Sequence, residues 1–147
     1  MSARVSVAGH PLHAMLVTIP IGLWIFSLVC DFVAMGAGAN PVWSTVAFYC
    51  MGGGIVGALL AALPGLVDLV SLPAGPRSTA LTHMGINLTV VALYVVNFYL
   101  RYNDPQNLKI PLLLSFVGVG LLLISGWLGG KMVFEAGVGV NSPNDLR

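Results

Sequence analysis

The chain has 147 residues, of which 57% are hydrophobic and 7% are charged, and its formal net charge at pH 7 is +1. Soluble domains carry roughly a quarter charged residues, so this chain has too few to cover a water-exposed surface, and its apolar composition also excludes intrinsic disorder. Its six basic residues are scattered along the chain, which argues against a nucleic-acid partner. We therefore expect a protein whose main solvent is the lipid bilayer.

Four segments are long and apolar enough to cross the hydrocarbon core, which takes about 20 mostly apolar residues in a helix. In chain order they cover about residues 11–35, 42–72, 80–100 and 110–130. The connections are short and rich in turn residues, so consecutive helices are expected to be antiparallel neighbours. The sequence predicts an all-α fold, an integral membrane four-helix up-down bundle, as a single transmembrane domain over residues 1–147 with a tail at 131–147.

The beginnings of the first and third segments carry start signals for helices. Pro11 suits the first position of a helix, which makes His10 the predicted cap of the first helix. Ser78 or Thr79 is the natural cap of the third.

Basic residues predict the orientation of the bundle. With four spans both termini lie on one side of the membrane, and that side holds four of the basic residues, against two opposite. The four are Arg4, Arg77, Lys131 and Arg147, and the two are Arg101 and Lys109. Because Lys and Arg collect on the cytoplasmic side, cytoplasmic termini are expected.

Small residues recur at every fourth position of the second segment, at Gly53, Gly57, Ala61 and Gly65. This spacing lets helices approach closely in lipid, and the same bare face would also leave room for a flat cofactor. Pro20 and Pro64 each remove an intrahelical hydrogen bond, so kinks are expected at both.

Polar side chains follow one stripe on the first segment and another on the third. They recur at steps of three and four, which return to the same face of a helix. Ionisable and amide groups exposed to hydrocarbon are costly, so both stripes are expected to face the bundle interior. The stripes include His10, His13, Ser27 and Asp31 on the first segment and His83, Asn87, Tyr94, Asn97 and Arg101 on the third.

All three histidines of the chain are expected at one membrane face. The first and third helices run in the same direction and begin where the second ends, so four titratable residues converge near the termini. This predicted cluster consists of His10, His13, His83 and Asp68. At the opposite face, Asp31 and Arg101 are candidates for an ion pair that holds two helices in register.

Three interpretations of the histidine cluster remain open from the residues alone. His13 and His83 could bind haem iron from opposite faces of a porphyrin, with Asn87 in support, as suits electron transfer. His10, His13, His83 and Asp68 could instead hold zinc, copper or iron directly. The histidines could also cap helices or relay protons without any metal.

Motifs of the common catalytic centres are absent from the sequence. There is no Gly-rich phosphate loop and no Gly-x-Ser-x-Gly nucleophile motif, so hydrolysis and phosphoryl transfer are not expected. We name no catalytic residue and expect an accessory subunit rather than an enzyme acting alone.

The chain resembles the small bacterial membrane proteins known as domain of unknown function 2231, over nearly its whole length. The resemblance rests on a His-Pro-x-His opening combined with later acidic, histidine and glycine positions. These are Gly9-His10-Pro11-Leu12-His13, Asp31, Gly65-Leu66-Val67-Asp68, His83, Asn87, Arg101 and Gly129-Gly130.

The resemblance implies a location in the bacterial inner membrane and a redox setting, because members of the family often accompany Rieske-type iron–sulfur domains and quinoprotein dehydrogenases. It favours a subunit that binds haem b through His13 and His83, with His10 and Asp68 in supporting or alternative-ligand roles. This subunit is expected to exchange electrons with a dehydrogenase, another redox subunit or quinone, and an oligomer is a further expectation. The alternative is a subunit that binds a non-haem metal or is purely structural.

Overall fold

The structure, a computed structural model, describes residues 5–36, 38 and 41–140. Arg4 and Arg147, on which the predicted orientation partly rests, lie outside the described residues, as does the end of the predicted tail. In chain order the elements of the described part are the strands β1 (Ser6–Val7) and β2 (His10–Pro11) and the helices α1 (Leu12–Leu16), α2 (Thr18–Gly36), α3 (Pro41–Val70), α4 (Ala74–Asn103) and α5 (Lys109–Phe134).

The helices confirm the predicted all-α membrane fold. Four helical stretches of 25 to 30 residues are long and apolar enough to cross a membrane, and α1 and α2 together form the first of them. Large apolar side chains such as Leu63, Leu88 and Leu123 are exposed on the outer surface. A surface of this kind is suited to the hydrocarbon core of a bilayer, where exposed apolar side chains are not in contact with water.

The helices form a closed ring in which each long helix packs against the next. The closest packing is between α2 and α3 and between α4 and α5, while looser contacts of α3 with α4 and of α2 with α5 close the ring. Helices α2 and α4 therefore face each other across the centre. The buried cluster at the centre consists of Trp24, Met51, Val90, Tyr94 and Leu122.

The first predicted span is interrupted near its beginning. Val17 separates α1 from α2, because Pro20 has no N–H to donate to the carbonyl of Leu16 and the helical hydrogen bond is missing there. Pro64 has a milder effect, since it lies inside α3, which continues to Val70.

The prediction that His10 caps the first helix is wrong. β1 and β2 form an antiparallel ribbon in which Val7 pairs with His10, and the turn between them uses Ala8 at φ 50° and Gly9 at φ 80°. Two consecutive residues with positive φ are what a tight hairpin turn requires. The helix begins only after this ribbon, at Leu12.

The third span begins earlier than expected, at Ala74 rather than near residue 80, and neither Ser78 nor Thr79 caps it. Pro76 lies in the first turn of α4, where backbone N–H groups have no partner within the helix, so its missing N–H costs no hydrogen bond. The stretch around Pro76, which the sequence predicts to be a loop, is therefore the first turn of a helix.

The small-residue stripe of α3 is a packing surface. A methyl group added at Gly53 would lie 3.1 Å from Leu23 Cδ1, and one added at Gly57 would lie 2.8 Å from Ile19 Cγ2. Side chains of α2 therefore fill this face, as close packing predicts. The alternative expectation, that the stripe leaves room for a flat cofactor, is wrong over these two glycines.

Candidate functional site

Three pairs of side chains meet across the centre of the bundle, one after another along its axis. In each pair one residue comes from the first span and the other from α4. We call them the His layer (His13 and His83), the aromatic layer (Trp24 and Tyr94) and the ion-pair layer (Asp31 and Arg101).

The His layer brings together the two histidines that were predicted to share a ligand. Their ring centroids are 6.5 Å apart and the ring planes are inclined at 84°. Both side chains are partly buried. His13 lies in α1 just after the strand ribbon and His83 lies in the first half of α4, and because these helices run in the same direction both rings lie toward one end of the bundle.

Each imidazole is held by a backbone carbonyl of the helix beside it. His13 Nδ1 lies 2.8 Å from the carbonyl oxygen of Ala61 in α3, and His83 Nδ1 lies 3.0 Å from that of Ser125 in α5. A carbonyl can only accept, so each Nδ1 carries the proton and donates it. In a neutral imidazole this leaves Nε2 with a free lone pair, the form in which histidine binds a metal.

Glycines give the two imidazoles their space. A methyl group added at Gly65 would lie 2.6 Å from His13 Nδ1, which is closer than real contacts allow, and one added at Gly129 would lie 3.6 Å from His83 Cε1. Gly65 therefore matters because His13 packs directly on the backbone of α3. Gly65 and Gly129 are both among the residues that carry the family resemblance, but only the structure shows which imidazole each accommodates.

His10 and Asp68, the other members of the predicted cluster, have different neighbours. The exposed His10 ring interacts with the carbonyl of Ala8 through Nδ1 at 3.0 Å, and Asp68 Oδ1 accepts from the backbone N–H of Val5 at 3.3 Å. Among the residues that the structure describes, no group of three or more His, Cys, Asp or Glu side chains is arranged to hold a metal ion. The structure thus brings together the His13 and His83 part of the cluster.

Asn87, predicted to support a cofactor, lies one turn along α4 from His83. Its Nδ2 donates to the carbonyl of His83 at 2.9 Å. This is a bond within one helix, so the contact holds the side chain against α4 on the side of the His layer.

The aromatic layer closes the centre of the bundle. The rings of Trp24 and Tyr94 stack with centroids 4.2 Å apart and planes inclined at 3°. Trp24 Nε1 donates to the carbonyl of Met51 at 3.1 Å. The Tyr94 hydroxyl, by contrast, is buried without a hydrogen-bond partner in the described part of the chain, and such a group costs stability.

The ion-pair layer contains the predicted partners Asp31 and Arg101, which are 1% and 4% exposed. The Arg101 guanidinium donates from its two terminal nitrogens to the two Asp31 oxygens, at 2.6 and 2.7 Å. Its Nε donates to Asn97 Oδ1 at 3.0 Å, and Asn97 Nδ2 donates to Ser115 Oγ and to the carbonyl of Pro111, both at 2.8 Å. A buried pair needs such complete pairing to offset its desolvation.

The backbone carbonyls of Ala61 and Ser125, which orient the imidazoles, were not predicted from the sequence. Both are small residues in the sequence, but the identity of a side chain does not indicate that the backbone carbonyl accepts a hydrogen bond from a histidine. The Asn97 and Ser115 network was also missed. A signal for it exists, since both are polar residues in apolar spans, where unpaired polar groups are costly.

Comparison with known proteins gives a family but no activity. The family described as predicted membrane protein (DUF2231) matches residues 9–142 of the chain. No curated protein and no solved structure matches the chain. Because the match spans the four membrane-crossing helices and all three layers, the chain belongs to the DUF2231 family of membrane proteins.

Proposed function

We propose that this protein binds one haem b between His13 and His83 and serves as an electron-transfer subunit of a membrane redox assembly. The observation that supports the proposal is the His layer, in which both Nδ1 atoms donate hydrogen bonds to backbone carbonyls. Two Nε2 lone pairs on facing helices are thereby left for one metal centre.

The separation of the two rings supports a shared ligand. Imidazole nitrogens bind a metal at about 2 Å, which puts the centroids of two rings on opposite sides of one ion about 6 Å apart. The observed separation is 6.5 Å. Zinc in structural sites takes four protein ligands, whereas haem iron takes only its axial ligands from the protein, so a two-histidine donor set favours haem.

The residues of the chain have three tasks in this function. His13 and His83 would hold the haem through Nε2, and the carbonyls of Ala61 and Ser125 keep the proton of each ring on Nδ1. The stacked rings of Trp24 and Tyr94 close the bundle beneath the site. A haem held by two histidines would supply one-electron transfer, which suits an accessory subunit rather than an enzyme.

The position of the His layer favours a partner at the end of the bundle where the chain begins. We propose that a dehydrogenase, another redox subunit or a quinone exchanges electrons there, and that this end faces the cytoplasm of a bacterial inner membrane. Arg77 and Lys131 are exposed at this end, with Lys131 3.8 Å from Glu135, while at the other end Lys109 is exposed and Arg101 is paired with Asp31. A reporter fused to the C-terminus and assayed for cytoplasmic activity tests the orientation.

The haem is tested by purifying the full chain from cells that make ample haem. We expect a low-spin absorption spectrum with about one haem per chain, and we expect His13→Ala and His83→Ala to abolish it. His10→Ala is the matched control, because His10 is exposed in the strand ribbon, and this variant should keep the spectrum.

Elemental analysis of the same preparation separates haem from its alternatives. A colourless, iron-free protein contradicts the haem proposal. If that protein holds about one zinc or copper per chain, and His83→Ala loses it, the His layer is a directly bound metal site. If it holds no metal and remains folded, the layer is structural.

A further inference from the structure

The two halves of the bundle are structural repeats. The first span carries His13, Trp24, Ser27 and Asp31 on its buried face, and α4 carries His83, Tyr94, Asn97 and Arg101 at the same relative spacing. Each residue of the first set is 70 positions before its counterpart, the separation within the Asp31 and Arg101 pair. Since each layer pairs a residue with its own counterpart, the layers lie on a pseudo-twofold axis along the bundle.

The partner helices repeat the same contacts. Ser27 Oγ donates to the carbonyl of Ala47 at 2.8 Å, as Asn97 does to that of Pro111. His13 uses the carbonyl of Ala61, as His83 uses that of Ser125. Gly54 and Gly118 face the two aromatic rings, and Gly65 and Gly129 face the two imidazoles. The first span with α3, and α4 with α5, therefore build equivalent half-sites.

One difference between the half-sites lies directly on an imidazole. Ser125 is buried, and its Oγ lies 3.0 Å from His83 Nδ1, the same distance as its carbonyl oxygen. The single Nδ1 proton can be shared between these two acceptors in a three-centre hydrogen bond. The counterpart residue, Ala61, has no hydroxyl, so His13 Nδ1 has the carbonyl alone.

We propose that Ser125 is a positioning residue that makes His83 the more electron-donating of the two imidazole ligands and so lowers the reduction potential of the iron. The inference rests on the proposed haem function. A second acceptor on Nδ1–H draws the proton away from the ring and increases the electron density at Nε2. Ligands that donate more strongly stabilise the oxidised iron, and hydrogen bonding to axial ligands is one of the protein's means of setting potential.

The repeat supplies a matched pair of variants in the full-length haem protein. Ser125→Ala removes the extra acceptor from His83, and we expect the midpoint potential to rise. Ala61→Ser adds the acceptor to His13, and we expect the potential to fall. Shifts of the midpoint potential in opposite directions distinguish an effect of the hydrogen bond from damage to packing. Damaged packing is not expected to raise the potential in one variant and lower it in the other. Thr45→Ala, which removes an exposed hydroxyl near the start of α3, at the opposite end of that helix from Ala61, should leave the potential unchanged.

Nitrogen-15 NMR of histidine-labelled protein in detergent provides a readout of the hydrogen bond itself. Ser125→Ala should shift the Nδ1 resonance of His83 and leave that of His13 in place. A haem spectrum with an unchanged potential in both variants overturns the role of Ser125 while the proposed function stands. Absence of haem from the wild-type protein overturns both, and an unshifted His83 Nδ1 resonance overturns the three-centre bond.

Discussion

The His layer and the ion-pair layer lie on the same two membrane spans, near opposite ends of the bundle, yet their chemistry is opposite. In the ion-pair layer the donors of Arg101 meet the acceptors of Asp31 and Asn97. In the His layer two identical bases face each other, and no hydrogen bond to either Nε2 is present within the described residues. The first arrangement is complete without a ligand, whereas the second offers lone pairs that a metal centre would use.

The two layers differ in how completely their donors and acceptors are matched. A buried polar cluster whose donors and acceptors match holds helices together. In the His layer the carbonyls hold each Nδ1 proton and leave each Nε2 lone pair available, which is what the proposed haem site requires. The histidines were prominent in the sequence, but the bonds from their Nδ1 atoms to backbone carbonyls are visible only in the structure.

The largest expected effect comes from breaking the ion-pair layer. Arg101→Leu leaves Asp31 as an unpaired buried charge, and we expect the free energy of unfolding in mixed detergent micelles to fall by about 3–5 kcal/mol. The double variant Asp31→Leu with Arg101→Leu should recover most of the loss. If the single variant is as stable as wild type, the pair is not what holds α2 and α4 in register.

An intermediate effect is expected at the glycines of the His layer. Gly65→Ala places a methyl group 2.6 Å from His13 Nδ1, whereas Gly129→Ala places one at an ordinary 3.6 Å from His83 Cε1. We expect Gly65→Ala to weaken haem retention by about tenfold or more and Gly129→Ala to be tolerated. Haem content after dilution, measured by absorbance, checks this, and equal retention in both variants would show that His13 does not need this contact.

The smallest effect is expected in the aromatic layer. Tyr94→Phe removes the buried hydroxyl that has no partner in the described chain, and we expect the free energy of unfolding to rise by about 1 kcal/mol. Trp24→Phe should lower it, because Trp24 loses its bond to the Met51 carbonyl. A loss of stability in Tyr94→Phe would mean that the hydroxyl has a bound partner such as an ordered water.

Much of the fold could be predicted because membrane helices are specified by long apolar runs. The four spans and the inward-facing stripes follow from hydropathy and from the period of the helix. Helix ends were harder, since Pro76 is compatible with a first turn as well as with a loop. The strand ribbon before α1 was missed because two short strands in a turn leave no periodic pattern.

Composition and hydropathy alone place this protein in a bilayer as a helical bundle, because 7% charged residues cannot cover a water-exposed surface. Helical spacing also predicted the inward-facing histidines and the Asp31 and Arg101 pair. The packed helices were needed to show that His13 lies beside His83 without His10 or Asp68, and that the carbonyls of Ala61 and Ser125 hold both rings. These contacts join backbone atoms to side chains across 42 and 48 positions of the chain. A carbonyl is present in every residue, so its use becomes visible only when the helices are packed.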